Sequence, residues 1–247
     1  MLKTEFKLQY STLKENESVF PVIIVAAGSS ARMAGTDKQL LSIGGIPVLA
    51  RTVKQFEDSP YISNIIIVTR ADIIPDVQKI VCEYGFKKVS DIVSGGADRH
   101  ASVLNGIKAL GSCAEKVLIH DGARPFVSDR IIKDCATALS GNDGCLAVIE
   151  ITDTVKKVTE DGTVADTLDR TALRVAQTPQ GVDVKKYIFA SESFADTVFT
   201  DDASVLERAG YTVKTVKGSK DNIKITVSED IPLAEFIASK NDKGQQQ

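Results

Sequence analysis

The chain is poor in several kinds of residue. Its 247 residues include only two histidines and four cysteines. The cysteines, at 82, 113, 135 and 145, form no C-x-x-C pair, and His100 and His120 stand apart from any ligand-like pairing. A structural zinc site is therefore not expected, and the cysteines read as small core residues of a reducing compartment. No Ser-His-Asp pattern is present. No apolar run reaches the roughly 18 residues that a membrane span needs. There is no block of like charges, and the net charge is -3, which argues against nucleic-acid binding driven by overall charge. The first 19 residues are polar and carry Glu5, Glu15 and Glu17. They have neither the apolar core of a signal peptide nor the Arg-rich, acid-poor character of a transit peptide. The expectation is a cytoplasmic protein with a polar extension over 1–19 and a polar tail over 241–247. Neither an internal repeat nor a low-complexity linker divides what lies between.

What is present is a rhythm. "PVIIVAA" (21–27), "NIIIVTR" (64–70), "KVLIHDG" (116–122) and "CLAVIEI" (145–151) are continuous, β-branched runs. Strands covered on both faces, as in parallel sheets, read this way. Helical patterns lie between them, over 47–58 with Pro47 at the first position, 76–85 ending on Gly85, 99–111 and 129–141. The alternation implies βαβ units, and so an α/β fold with a mostly parallel sheet flanked by helices. "TDTVKKVTEDGTVADTLDR" (152–170) departs from it. Its Thr/Val alternation around the turn signal "EDG" predicts a β-hairpin inserted after the fourth core strand. Helices near 182–195 and 201–209, strands over 211–218 and 223–228, and a terminal helix over 229–240 complete the expected order. One α/β domain over 20–240 with a projecting arm over about 152–175 fits better than two domains.

Five stretches could carry chemistry. "AAGSSARM" (26–33) follows a strand, and ligands of open α/β sheets sit beyond the carboxyl ends of the strands. Its small residues would bare backbone N–H groups to a phosphate, with Arg32 and Lys38 adding positive charge. It matches neither the G-x-G-x-x-G nor the G-x-x-x-x-G-K-[ST] pattern, and the alternative is an ordinary strand-to-helix turn. "SGGADRHASV" (94–103) offers Gly-Gly against which a flat base could lie, with Ser102 as partner, or simply a turn capped by Asp98. "IHDGARPF" (119–126) ends an apolar strand on Asp121. That carboxylate either holds a divalent cation against phosphate oxygens or caps the turn and pairs with Arg124. "DNIKITVSED" (221–230) places Lys224 in an apolar alternation, facing either solvent or a phosphate. Thr178 of "AQTPQG" and Thr200 of "TDDAS" offer hydroxyls to a ligand or to helix caps.

In order, "AAGSSARM", Lys38, "GGADRHASV", "HDGARPF", "DRTALRVAQTPQ", "TDDAS" and "DNIKIT" resemble the 2-C-methyl-D-erythritol 4-phosphate cytidylyltransferase (IspD) family of non-mevalonate isoprenoid biosynthesis. The resemblance runs from about Pro21 to Ile237. It implies a Rossmann-like nucleotidyltransferase domain whose β-arm clasps a second subunit. It further implies that Ala26, Ala27 and Gly28 line the nucleotide site and that Arg32 and Lys38 bind the triphosphate of CTP. Gly96 and Ser102 would recognise cytosine, and Asp121 would sit near Mg²⁺ and the sugar-alcohol phosphate. Thr178, Thr200 and Lys224 would contact the acceptor or the reacting phosphate, and Arg170, on the arm, would reach the partner's site. The chain departs from the family pattern at three positions. Ser30 stands where many members have a second glycine, Asp37 where a proline often precedes the lysine, and Ala97 where an acidic residue is common.

The implied reaction joins CTP to an acceptor that is already an anion, since a phosphate monoester carries about -1.5 to -2 charge at neutral pH. No general base is needed, which agrees with a chain so poor in histidine. Alignment and fixed positive charge do the work in such transfers. The competing expectations are a ribitol 5-phosphate cytidylyltransferase and a non-catalytic nucleotide-binding protein on the same fold.

Overall fold

A computed structural model describes residues 18–28, 37–111 and 114–244. Arg32, Ser30, Cys113 and most of the expected N-terminal extension lie outside the described residues. Seven strands form the central sheet: β1 (Phe20–Ala26), β4 (Ile62–Thr69), β5 (Val89–Ser94), β6 (Lys116–Asp121), β7 (Gly144–Glu150), β10 (Arg174–Asp183) and β11 (Val213–Lys217). Their order is β11-β7-β10-β6-β1-β4-β5. Every neighbour pair is parallel except the two made by β10, which runs antiparallel between β6 and β7. A short hairpin, β2 (Ser42–Ile43) with β3 (Ile46–Pro47), precedes the first described helix.

The apolar runs form strands because both faces of each are covered. Along β1, Val22, Ile24 and Ala26 pack on one side with Leu49, Val53 and Phe56 of α1 (Val48–Asp58). On that side lie also α2 (Ile74–Glu83) and α4 (Asp129–Gly141). Ile23 points the other way, into Val103 and Ile107 of α3 (Arg99–Leu110), Tyr187 of α5 (Val184–Ser193) and Leu206 of α6 (Asp202–Arg208). The two-residue period of a strand thus splits one hydrophobic run between two cores. The last helix, α7 (Ile231–Gly244), lays Ala234, Ile237 and Ala238 on a third cluster with Ile43, Phe126 and Ile225.

Several expectations shift. Pro47 caps α1 from β3 rather than opening the helix. Gly85 does end α2, in a left-handed conformation at φ +64°. The predicted hairpin forms as β8 (Val155–Val158) and β9 (Val164–Leu168), a separate two-stranded sheet turning at Gly162. Its outer limit is shorter than 175, because β10 rejoins the main sheet at Arg174, opposite Glu150. The predicted strand over 223–228 does not form. That segment pairs with no strand, and its alternation arises because Ile225 is buried against α7.

Candidate active site

The connections leave β1 for β4 and β5 on one side and return to β6 on the other, so β1 and β6 flank the point where strand order reverses. Crevices at the carboxyl ends of such strands are where open α/β sheets bind ligands. Here Val25 and Asp121 are in register, and the Gly122 N–H donates to the Val25 carbonyl at 2.8 Å. A cavity of about 450 Å³ opens above them. Ala27, Gly28, Lys38, Gly96, Ser102, Asp121 and Lys224 line it. These predicted residues therefore do come together. Ala26 lies just beneath, buried.

One wall is the start of α3. Asp98 caps that helix through the Ala101 N–H at 2.7 Å. The Ser102 hydroxyl donates to the Asp98 carbonyl at 2.7 Å and accepts from the Gly96 N–H at 3.0 Å. Ser102 so pins the Gly-Gly turn, and Asp98 caps the helix as the turn reading expects. The opposite wall is the turn that carries Lys38. Asp37 organises it: its carbonyl accepts from the Leu40 and Leu41 N–H groups and its carboxylate from the Gln39 N–H. The other carboxylate oxygen pairs with Arg70, at the end of β4, at 2.7 Å. An ion pair thus anchors the turn at the position where the family often has proline.

The floor is Asp121, one carboxylate facing three cations. Its Oδ2 lies 2.9 Å from Lys224 and 3.5 Å from Arg124, and its Oδ1 lies 3.3 Å from Arg99. Burial opposes ionisation here, but Lys224, Arg99 and Arg124 overcome it and hold the carboxyl well below the usual range. Arg99 also grips the buried Asp202 at 2.6 Å, and Asp202 accepts from the Tyr187 hydroxyl at 3.1 Å. Arg99 and Asp202 were not singled out in the sequence, although both sit inside quoted motifs. Asp121 does not fit the role of direct Mg²⁺ ligand, because an ion on its oxygens would displace cations already there. Among the described residues no cluster of three or more His, Cys, Asp or Glu could hold a metal.

The remaining predicted residues lie around this floor. Thr178 is buried beneath it: its hydroxyl accepts from the Asp121 N–H at 3.1 Å and meets His120 Nδ1 at 3.0 Å. His120 Nε2 lies 3.0 Å from the Arg124 carbonyl, which only accepts, so Nε2 carries the proton and Thr178 donates to Nδ1. Thr200 is exposed in the loop before α6, two residues from Asp202. Arg170 stands exposed on a 3₁₀ turn at the return of the arm, bonded to the Thr152 carbonyl, and does not line the cleft. A wider groove of about 880 Å³ at the ends of β7 and β11 contains none of the predicted site residues. The predicted residues and their charges converge on the smaller cavity instead.

The family model for 2-C-methyl-D-erythritol 4-phosphate cytidylyltransferase, IspD, matches residues 20–240. A protein of that name from Geobacter metallireducens is 45% identical, over 88% of this chain and 97% of the relative. One from Alkaliphilus oremlandii is 40% identical, over 94% of this chain and the whole of the relative. Among solved structures, the 4-diphosphocytidyl-2C-methyl-D-erythritol synthase of Anaerococcus prevotii superposes with a TM-score of 0.80 at 32% identity, covering 91% of this chain and 97% of that one. The cytidylyltransferase of Thermus thermophilus gives a TM-score of 0.73 at 28% identity, covering 90% and 99%. By sequence and by fold, the chain belongs to the 2-C-methyl-D-erythritol 4-phosphate cytidylyltransferase family.

Proposed function

We propose that this enzyme transfers CMP from CTP to 2-C-methyl-D-erythritol 4-phosphate, releasing pyrophosphate, and that its cleft divides the work between two walls. Ala27, Gly28 and the Gly96–Ser102 turn take the nucleotide, and Arg32 and Lys38 take the triphosphate. Lys224, with Thr178 and Thr200 behind it, aligns the acceptor phosphate. Asp121 serves as the counter-ion that orients Lys224, Arg99 and Arg124. Mg²⁺ enters on the triphosphate as part of the substrate, since Mg²⁺ is commonly held by phosphate oxygens and water with few protein ligands. Arg170 completes the cleft of a second subunit, so the working unit is a homodimer joined through the arm.

The observation that carries this reading is the convergence of Lys38 and Lys224 on one cavity at the β1/β6 switch point. Two anions must meet in line there, and fixed cations lower the barrier without a proton transfer. The test is pyrophosphate release with CTP, Mg²⁺ and 2-C-methyl-D-erythritol 4-phosphate, beside ribitol 5-phosphate and the other nucleoside triphosphates. Turnover with CTP and methylerythritol phosphate is expected. Turnover with ribitol phosphate alone would move the acceptor, and nucleotide binding without any turnover would remove the enzyme reading. Lys38→Ala and Lys224→Ala should each lower kcat by about 10²–10³, the usual cost of one such donor.

A further inference from the structure

Gln177 is buried inside strand β10, where the ladder with β7 is interrupted between Ala176 and Gln180. A polar side chain at 4% exposure in a sheet interior needs partners. All of those partners lie in one segment. Its Nε2 donates to the Ser219 carbonyl at 2.8 Å and the Asn222 carbonyl at 3.3 Å. Its Oε1 accepts from the Ser219 N–H at 3.2 Å and from Asn222 Nδ2 at 3.3 Å. The four hydrogen-bonding positions of the amide are thereby filled. Residues 219–227 form neither strand nor α-helix, so this segment depends on such contacts for its shape. Lys224 lies within it, between Asn222 and Ile225, whose N–H donates to the Ala123 carbonyl at 2.9 Å.

We propose that Gln177 is a positioning residue that sets the Lys224 ammonium over the reacting phosphate, which rests on the role assigned to Lys224 above. Gly218 supports the same contact from the far side. A Cβ there would come within 2.3 Å of Gln177 Oε1 and 3.0 Å of the Val148 carbonyl. Only a residue without a side chain leaves the amide its place. A misplacement of about 1 Å at a reacting group costs on the order of 10²-fold in rate, so the clamp acts on kcat rather than on CTP binding. Lys38, Gly96 and Ser102 lie on elements that Gln177 does not touch.

The experiment compares Gln177→Glu with the wild type. Glutamate keeps the shape and the acceptors but loses both donors to the Ser219 and Asn222 carbonyls. Its kcat should fall by about 10–100-fold, with the KM for CTP changed by no more than about twofold. In a Lys224→Ala background the same change should add less than about twofold, because it acts through Lys224. A loss that multiplies fully in that background overturns the proposal. A second readout needs no turnover: labelling of Lys224 by an amine-reactive ester, followed by peptide mass spectrometry. Gln177→Glu and Gly218→Ala should both raise its rate as the ammonium leaves Asp121, and an unchanged rate in a folded variant overturns the proposal. If Gln177→Glu does not fold, Gly218→Ala carries the same comparisons. If the wild type releases no pyrophosphate, the functional reading fails while the labelling still judges the clamp.

Discussion

His120 shows how a single residue serves the site without entering it. It is fully buried against Phe56, donates to the Arg124 carbonyl and accepts from Thr178. Burial, with the positive charges of Arg124 and Lys224, lowers its pKa from 6.5 to about 4, although the Arg124 carbonyl and Asp121 pull the other way. Between those values the unfolded chain takes up a proton that the folded protein refuses. Stability is therefore full above about pH 6.5 and declines as pH falls toward 4, by at most about 1.4 kcal/mol per pH unit from this group. Denaturant unfolding between pH 5 and 6.5 should show a flatter pH dependence in His120→Gln than in the wild type, by about 1 kcal/mol per unit. Equal slopes would mean that His120 takes up its proton as readily in the folded protein as in the unfolded chain. Asp121 beside it was legible in the sequence as a carboxylate at a strand end. Its pairing with Arg124 was offered by the sequence as one alternative, but Arg99 was not, because α3 and α6 bring that arginine between Asp121 and Asp202 only in the folded sheet.

Among the elements, α3 lies tight against the sheet at its one internal glycine. Gly106 faces β1 and β4 there, and a Cβ would lie 2.6 Å from Ile23 Cγ2 and 3.0 Å from Val68 Cγ2. Alanine in place of a helical glycine ordinarily stabilises by about 0.5–1 kcal/mol, but overpacking a core costs about 1–3 kcal/mol. The second effect wins, so Gly106→Ala should lower the denaturant midpoint. A raised midpoint would show that α3 can move off the sheet. The parallel strands were readable because double burial leaves continuous apolar runs such as "PVIIVAA". β10 was not read as a strand, since Gln177, Thr178, Pro179 and Gln180 look like a loop. A proline and three polar residues survive in a sheet interior only because the ladder is broken there and the side chains find other partners. The opposite error fell on 223–228, where burial on α7 imitates a strand's period without a strand to pair with.

At the scale of the whole molecule, the arm forms a two-stranded sheet of its own, apart from the central one, and the proposed dimer rests on it. β9 is exposed throughout, with Val164 at 57% and Val158 of β8 at 59%. A homodimer in which each Arg170 completes the other cleft makes a quantitative prediction. Lys38→Ala and Arg170→Ala chains, each nearly inactive alone, should recover roughly a quarter of the wild-type rate when mixed and allowed to exchange, because about half of the dimers are mixed and each mixed dimer has one intact site. No recovery in verified mixed dimers would return Arg170 to its own subunit. The same strand that leaves the arm also fastens the segments proposed to align the acceptor. Gln177 holds the Lys224 segment, Thr178 the Asp121 turn, and Gln180 the Thr200 loop through Asp201 at 3.0 Å and the Ala203 N–H at 2.9 Å. One residue inserted within 177–180 would turn part of this set toward the opposite face of the sheet, while β1 and its loop stayed as they are. Such a protein would still grip CTP and never spend it, so a single extra codon would convert a synthetic enzyme into a nucleotide trap.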